Sequence, residues 1–334
     1  MDAERVLIPA EGERKREQSK TWWDTLLPVC ALSLALLTIF AYRPAVERLP
    51  ATPRSAPVAR VSLSAVQPLI GQPRYHVVHP GETLLQIARS CNMDTVTLAH
   101  LNNLEGKSLQ PGQRLLLPSM TILPARVADG IVLNIPERGI YIFRRGRLLD
   151  RFPCAVGKRG WETPIGRFKI VRMVVDPIWI PPTIMVKREH TPTHWVDAGP
   201  GNPIGDRWMG WSAPEVGFHS TYETQTVGHA ASHACVRLYI ESAHTMFHQV
   251  YIGMPIYSLY EPAKIGQKDG DYYLSVSPDV YEKGVLSPAQ VRRRLEQAGL
   301  LSYVDMQKVR RIVARQDGYP YLIYSAKSPQ AALR

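Results

Sequence analysis

Between residues 219 and 237 the chain carries one cysteine and three histidines, in a stretch that reads HSTYETQTVGHAASHACVR. Cys235 ends a Ser-His-Ala-Cys run downstream of His219. A thiol becomes a strong nucleophile when it loses its proton, and an imidazole within reach can take that proton. Such residues meet in the fold rather than in the sequence. The pattern therefore predicts a cysteine nucleophile, Cys235, with His219 as its general base.

Two other interpretations of these residues compete with that prediction. A lone cysteine is more often an inert core side chain, but few apolar residues surround Cys235, whereas Cys154 lies in an apolar segment. A zinc site is the rival chemistry, because His190 and His194 stand four positions apart. Pro192 breaks any helix that would align them, and no HExxH motif is present. The sequence favours cysteine chemistry without a metal or a cofactor.

Three ordered motifs resemble the signature of L,D-transpeptidases with a YkuD-type catalytic domain. They are GKRGWETPIG at 157–166, NPIG at 202–205, and His219-Ser220 followed by the SHACVR run at 232–237. The resemblance spans about residues 127–262. The family usually has glycine before the cysteine, where this chain has Ala234. A positive φ at that position would make the methyl group costly.

The resemblance implies acyl transfer through a cysteinyl thioester. Cys235 would attack an amide carbonyl, His219 would carry the proton, and the backbone carbonyl of Ser220 would orient the imidazole. Backbone N–H groups around Ala234 and Cys235 would form the oxyanion hole. Arg237 is expected to bind a carboxylate of the substrate peptide, and a structural ion pair is an equal alternative for this side chain. The residues expected to shape the pocket or to bind substrate are His233, Ser232, Ala234 and Arg237.

The implied substrates are the tetrapeptide stems of peptidoglycan. Family members cleave before the terminal D-alanine and join the new carbonyl to an amine of a neighbouring stem. Some use a lysine of a lipoprotein as acceptor, and some hydrolyse the bond. Carbapenem-type β-lactams acylate the family's cysteine, so Cys235 is their expected target. The alternative from another class is a non-catalytic protein that only binds the wall.

Residues 74–119 predict a small strand–helix–helix–strand unit. The segments YHVVHPGETLLQIA, LAHLNNL and LQPGQRLLLP follow one another there. Thr83 is the expected cap of the first helix, and Asp94 or Thr95 that of the second. The unit resembles a LysM domain, which implies binding to glycan that contains N-acetylglucosamine. The glycan-binding candidates taken from the family are Gly81, Glu82, Thr83 and Asn102.

The N-terminal residues predict a single-pass membrane anchor. Residues 1–20 are hydrophilic with a basic cluster, and residues 21–42 are mostly apolar, close to the roughly 20 residues that cross a bilayer. Basic residues before the span predict a cytoplasmic N-terminus and an extracytoplasmic remainder, in the cell envelope. A cleaved signal peptide is the alternative. Prolines recur over 43–73, which predicts a semi-rigid linker.

The composition sets the expected partners. The net charge of +11 favours an anionic partner, such as cell-wall polymer or phospholipid headgroups. No basic helix with interleaved aromatic residues is apparent, so nucleic acid is not expected. The four cysteines are scattered and form no disulfide framework, although a Cys91–Cys154 bridge stays open in an oxidising compartment.

The expected fold class is α+β, with a predominantly β catalytic domain (a YkuD-like β-sandwich) at 127–262. The proline-broken segment from Pro177 to Trp211 is expected to be a lid or a substrate wall. A helix should follow Cys235, because Ala243, Met246, Phe247 and Val250 share a face, and its N-terminus would favour a thiolate. Residues 263–334 predict an extension with a strand at 272–276, a helix opened by Ser287-Pro288, and a basic helix at about 302–315.

Overall fold

The computed structural model describes residues 65–104, 106–125 and 127–327. The predicted cytoplasmic segment, membrane span and most of the linker lie outside these described residues. Within the described part, no helix is both long enough and apolar enough to span a bilayer.

Residues 74–117 form the predicted strand–helix–helix–strand unit. Its strands Arg74–Val77 and Arg114–Leu117 pair antiparallel, and its helices are α1, Leu84–Ser90, and α2, Thr95–Leu101. Thr83 caps α1 in a reciprocal capping box with Gln86, and Asp94 caps α2 by accepting the Thr97 N–H at 2.7 Å. The local cap signals therefore define both helix starts. The core of the unit includes Val78, Ile87, Ala88, Leu98, Leu104, Leu115 and Leu117.

Residues 127–262 are predominantly β, as expected, and are built on an eight-stranded sheet within the described residues. Alternate residues of its inner strands enter cores on both faces; Ile131 and Leu133 lie on one side and Val132 on the other. Beside it, the short strands Val156–Gly157 and Ala230–Ser232 pair in parallel. The strands, in sheet order, are Val236–Leu238, Gly217–Ser220, Arg207–Trp211, Gly166–Val175, Pro255–Leu259, Gly130–Asn134, Gly139–Arg144 and Arg147–Pro153.

Two helices accompany this sheet. Helix α3, Thr183–Glu189, lies within the proline-broken segment from Pro177 to Trp211. Helix α4, Ile240–Gln249, packs on the sheet through Ala243 and Met246, as the spacing predicted. Both helices bear on the site described below.

The extension forms a second sheet that also recruits residues from before and after the small unit. Its order is Tyr321–Ser325, Asp271–Val276, Ala263–Lys268, Gln67–Ile70 and Thr121–Ile122. Helices α5, Pro288–Gln297, and α6, Met306–Arg315, pack on it. Ser287 and Pro288 open α5 as predicted, whereas α6 begins later than expected, after its Asp305 cap.

The linker prediction for 43–73 is wrong at its C-terminal end. Gln67–Ile70 forms a strand that pairs in parallel with the extension, Gln67 opposite Gly266. Pro68 lacks an N–H but uses its carbonyl to accept the Leu123 N–H at 3.0 Å. The strand is held because Leu69 is buried in a core shared with the small unit and the extension. That core contains Leu69, Leu101, Met120, Ile122 and Tyr319.

Candidate active site

Cys235 and His219 lie on neighbouring strands of the large sheet. His219 belongs to Gly217–Ser220, and Cys235 immediately precedes Val236–Leu238. The two strands pair in parallel, with Phe218 opposite Val236 and His219 opposite Arg237. Residues distant in sequence are thus joined by strand pairing.

The His219 ring is buried, with only 2% of the residue exposed, and its orientation is fixed. Nδ1 lies 2.8 Å from the backbone carbonyl oxygen of Ser220. Because a carbonyl can only accept, Nδ1 carries the proton and Nε2 keeps its lone pair. Trp208 stacks on the ring, with centroids 6.0 Å apart. Burial, and secondarily Arg237, lowers the pKa of His219 to about 4, so the ring is neutral at neutral pH.

The Cys235 thiol is partly buried and donates a hydrogen bond to the Glu215 carbonyl oxygen at 3.4 Å. Burial raises the pKa of Cys235 to about 11, against the opposing effects of the Gly217 amide and Arg237. The thiol is therefore protonated at neutral pH. The expected thiolate at a helix N-terminus is wrong, because strand Val236–Leu238 separates Cys235 from the start of α4.

The GWETP loop holds the backbone of the residue before the nucleophile. The hydroxyl of Thr163 donates to the Ala234 carbonyl at 2.8 Å and accepts the Gly157 N–H at 2.8 Å. Gly157 has no room for a side chain, because a Cβ would lie 2.0 Å from the Trp161 oxygen and 3.0 Å from the Ala234 Cα. Ala234 itself has a φ of +75°, the conformation in which the family's glycine is unstrained.

The NPIG loop braces the strand that carries His219. The buried side chain of Asn202 donates to the Pro177 carbonyl at 2.7 Å and accepts the Ile204 N–H at 2.9 Å. Gly205, with a φ of +61°, lies so close to Ser220 that a Cβ would be 2.3 Å from its Oγ. Ser220 Oγ in turn donates to Asp206 at 2.6 Å. The packing of Gly205 against Ser220 and the bond from Ser220 to Asp206 therefore hold the Ser220 carbonyl that orients His219.

Three other predicted site residues make internal contacts. Ser232 is buried, and its hydroxyl donates to the Cys235 carbonyl. Arg237 forms an ion pair with Glu223 at 2.5 Å, its side chain 14% exposed. His233 Nε2 lies 2.9 Å from the Glu189 carboxylate and 3.0 Å from Lys158 Nζ. These contacts favour positioning roles for Ser232 and Arg237, and their substrate-binding roles stay predictions.

The glycan-binding candidates lie in the small unit, at two different places. Glu82 accepts from the His79 N–H at 2.7 Å and contacts His76 Nε2 at 2.8 Å. Thr83 is the α1 cap, and Gly81 is a turn glycine with a φ of +81° and open space around it. Asn102 is engaged within the unit, accepting from and donating to the Leu116 backbone. Those bonds count against a direct sugar contact by Asn102, which stays a prediction.

A cleft of about 710 Å³ opens beside Cys235. The predicted substrate wall forms much of it, from Pro177 to Thr183. The side chains of Ile178 and Ile180 are exposed there, at 57% and 71% of the residue surface, so part of this wall is apolar and accessible. Such a cleft suits a peptide that extends past the thiol. The remaining lining residues are Arg172, Val174, Asp176, Ile204, Trp208 and Glu215.

Sequence reasoning missed Glu215, Trp208 and Thr163 as parts of the site. Trp208 comes to His219 by antiparallel pairing, and Glu215 comes to Cys235 through a turn with a φ of +58°. Thr163 was visible within the GWETP motif, but its contact with Ala234 spans 71 positions. Among the residues described, no group of three or more His, Cys, Asp or Glu side chains could hold a metal ion.

Comparison with known proteins identifies both parts of this arrangement. Residues 128–257 match the model of the L,D-transpeptidase catalytic domain, YkuD, and residues 76–118 match the LysM domain. The large sheet with its cysteine and histidine thus belongs to the class of L,D-transpeptidase catalytic domains, and the small unit to the class of LysM domains.

Relatives that match about two thirds of the chain point the same way. "Probable L,D-transpeptidase YbiS" of Escherichia coli (strain K12) is 30% identical over 219 residues, 62% of this chain and 71% of the relative. "Probable L,D-transpeptidase ErfK/SrfK" of Salmonella typhimurium is 28% identical over 232 residues, 65% of this chain and 74% of the relative. The chain belongs to the L,D-transpeptidase family and is an L,D-transpeptidase with a peptidoglycan-related function.

Proposed function

We propose that this enzyme forms peptidoglycan cross-links through a thioester on Cys235. The observation that carries the proposal is the bond from His219 Nδ1 to the Ser220 carbonyl. It fixes the tautomer that leaves Nε2 free to accept a proton, on the strand next to the nucleophile. The adjacent cleft supports the same conclusion, because it offers a peptide access to the thiol.

In the first half-reaction His219 Nε2 takes the thiol proton as Sγ attacks the carbonyl carbon before the terminal D-alanine. A carbon–sulfur bond forms, and the bond from carbon to the D-alanine nitrogen breaks as the imidazolium gives that nitrogen its proton. Backbone N–H groups around Ala234 and Cys235 hold the oxyanion, at about 3 kcal/mol per donor. Both side chains start neutral, so neither carries a buried charge before substrate binds.

In the second half-reaction an acceptor amine attacks the thioester. His219 takes the amine proton, the new amide forms, and the thiolate leaves and is protonated by the imidazolium. A stem-peptide amine gives a cross-link, a lipoprotein lysine gives an attached lipoprotein, and water gives a shortened stem. The cross-link is our proposal, and the other two acceptors are outcomes of the experiment below.

The other parts of the chain support a location in the cell envelope. The LysM domain implies peptidoglycan binding, and we place its sugar contacts at the Gly81–Thr83 loop. We further propose that residues 21–42 anchor the enzyme in the cytoplasmic membrane, with residues 43–66 as spacer and the catalytic domain on the wall side. The apolar composition of 21–42 supports this part of the proposal.

The test is incubation of the purified enzyme with stem tetrapeptides, followed by mass spectrometry of protein and products. We expect a peptide adduct on Cys235, release of D-alanine, and cross-linked dimers. Cys235→Ala should abolish all three, and His219→Asn should slow acylation by roughly 10²–10⁴-fold. Cys91→Ala is the control, since that thiol lies in the LysM domain. Turnover by Cys235→Ala would contradict the proposal.

A carbapenem provides a second readout of the same nucleophile. We expect one equivalent to acylate Cys235 in the wild-type enzyme and none in Cys235→Ala. Mass spectrometry of the intact protein and of its peptides measures both. An adduct on another residue would remove the support that this reaction gives to the mechanism.

A further inference from the structure

A second cavity lies where three parts of the chain meet. Its volume is about 220 Å³. Its wall includes Thr97 of α2 in the LysM domain, Arg138 of the catalytic domain and Asp317 of the C-terminal extension. It shares no lining residue with the cleft beside Cys235, as far as the described residues show. The cavity is therefore distinct from the candidate active site.

Arg138 contributes a buried cationic side chain to this wall. The residue is only 9% exposed, and its Nε atom is buried without a hydrogen-bond partner. The side chain makes no hydrogen bond or ion pair with the rest of the described chain. Its backbone is fixed in a turn, because the Arg138 N–H donates to the Ile135 carbonyl at 3.0 Å and the Arg138 carbonyl accepts the Cys154 N–H at 2.8 Å. A buried guanidinium needs acceptors and a counterion, and a ligand that enters the cavity would supply both.

The nearby carboxylates do not fill that role. Asp317, in the wall of the cavity, is paired with Arg315 Nε at 2.7 Å. Asp94, packed against Gly228, accepts the N–H that caps α2. Within the described residues, neither carboxylate forms an ion pair with Arg138. The charge of Arg138 is thus uncompensated at short range.

The cavity also offers groups that can complete the binding of an oxyanion. Thr97 and Gln316 bring a hydroxyl and an amide to the wall, and neither side chain makes a hydrogen bond within the described part of the chain. His229 also lines the cavity and is exposed, so a ligand can enter from solvent. The fork of a guanidinium matches a carboxylate through two parallel N–H bonds.

Charge and size favour a carboxylate over a phosphate. One guanidinium balances one negative charge, whereas a phosphate group carries about 1.5 to 2 at neutral pH. The excess charge would be buried beside the Asp317 carboxylate. At about 30 Å³ per water molecule, the 220 Å³ of the cavity equals roughly seven waters, which leaves room for a carboxylate and a few further atoms.

We propose that this cavity is a carboxylate-binding site in which Arg138 pairs with the anion. The ligand is the carboxylate end of a peptide or a small free organic acid. Because the wall is built from three parts of the chain, a bound ligand connects the LysM domain, the catalytic domain and the C-terminal extension. The site does not depend on the proposed acyl transfer at Cys235.

The first test is a titration of the full-length enzyme with N-acetylglycine, followed by NMR of the ligand. N-acetylglycinamide is the uncharged control ligand, and Arg145→Met is the control variant. Arg145 also has a positive φ, +49° against +51° for Arg138, but its side chain is exposed. We expect a Kd on the order of 1 mM, weakened about tenfold or more in Arg138→Met and unchanged in Arg145→Met.

The outcomes of this titration separate the proposal from its rivals. Undiminished binding in Arg138→Met, equal binding of N-acetylglycinamide, or no saturable binding would overturn the site. Tighter binding of inorganic phosphate than of N-acetylglycine would overturn the choice of a carboxylate. A parallel titration with acetate distinguishes the two sources: a preference for N-acetylglycine indicates a peptide end, and equal affinities indicate a small free acid. Either of these last two results supports the proposal.

The melting temperature of the ligand-free enzyme gives an independent test. A buried charge without a partner destabilises the fold, so Arg138→Met should melt about 2–4 °C higher than wild type in buffer free of carboxylates and phosphate. N-acetylglycine should raise the melting temperature of wild type but not of Arg138→Met. A lower melting temperature in ligand-free Arg138→Met, or failure of this variant to fold, would show that Arg138 is needed by the fold itself and would overturn the proposal.

Discussion

At the scale of single residues, burial decides the protonation states from which the reaction starts. His219 and Cys235 have pKa values of about 4 and about 11, each shifted mainly by desolvation, toward its neutral form. An ion pair of thiolate and imidazolium would need the opposite shifts. In the proposed mechanism the proton must therefore move as sulfur bonds to the substrate carbon, and the orientation of the imidazole matters more than a stored charge.

The His219 pKa makes a prediction about stability and pH. The folded state disfavours the proton, relative to the ordinary value of 6.5. The contribution of the neutral His219 to the free energy of unfolding is therefore fully present above pH 6.5 and is lost as the pH falls from 6.5 through 4. We expect wild type to lose about 3 kcal/mol more free energy of unfolding than His219→Asn between pH 7 and pH 4. Urea unfolding at both pH values measures this, and parallel losses would contradict it.

Ala234 is the second residue whose conformation has a measurable cost. An alanine at a φ of +75° is strained by about 1 kcal/mol. We expect Ala234→Gly to raise the free energy of unfolding by about 0.5–1 kcal/mol, because glycine adopts this conformation freely. Ala230→Gly is the control: Ala230 lies in a strand without a positive φ and should be destabilised by glycine. Chemical denaturation distinguishes them, and a loss in both variants would argue against strain at 234.

At the scale of elements, two loops hold the residues of the proposed mechanism by close contacts with the backbone. The GWETP loop holds the Ala234 carbonyl through Thr163, and the NPIG loop packs on Ser220 through Gly205. Neither loop supplies a reacting group. We expect them to affect catalysis through the geometry of the strand ends that carry His219 and Cys235.

A substitution at Gly205 can separate the packing of the NPIG loop on Ser220 from the cost of backbone strain. Gly205→Ala would place a methyl group against Ser220, whereas Gly284, with a similar φ of +65°, has nothing within 4 Å. We expect both alanine variants to lose about 1 kcal/mol to strain, and Gly205→Ala to lose a further 1–3 kcal/mol to overpacking. Acylation of Cys235 should slow in Gly205→Ala alone. Thermal unfolding and carbapenem acylation test this, and identical behaviour of the two variants would contradict it.

At the scale of the whole molecule, the LysM domain is docked on the catalytic domain. Arg89 of α1 makes a two-point ion pair with Glu241 of α4, both contacts 2.8 Å. Asn92 donates to the Arg151 carbonyl at 2.6 Å, and Gly228 lies against Asp94 with no room for a Cβ. The shared core around Leu69 connects the C-terminal extension to the LysM domain. The LysM domain and the candidate active site thus belong to one continuously packed part of the molecule.

The Arg89–Glu241 pair should contribute little to that docking. Its side chains are 39% and 46% exposed, so water and salt screen the charges. A double-mutant cycle with Arg89→Gln and Glu241→Gln should give a coupling energy of about 0.5–1 kcal/mol that shrinks in about 0.5 M salt. The more exposed pair Arg159–Glu282 is the control and should couple less. A larger coupling that is insensitive to salt would show that the pair itself holds the domains together.

Much of this architecture could be predicted from the sequence, because its signals are local or occur as ordered motifs. The caps at Thr83, Asp94 and Ser287 act within three residues of their partners, so each helix start was readable. The motifs around Gly157, Asn202 and Cys235 were also local signals, because each is a short run of defined residue types, and together they identified the catalytic domain.

The rest was decided by contacts between distant residues. Strand Gln67–Ile70 could not be recognised among prolines, since its two partner strands begin at Thr121 and at Ala263. The acceptor of the thiol, Glu215, and the stacking of Trp208 on His219 depend on turns and strand register. The protonation states of His219 and Cys235 were equally hidden, because desolvation arises only when many segments together exclude water. The sequence alone predicted which groups would react, and the tertiary structure determined their charge, orientation and access.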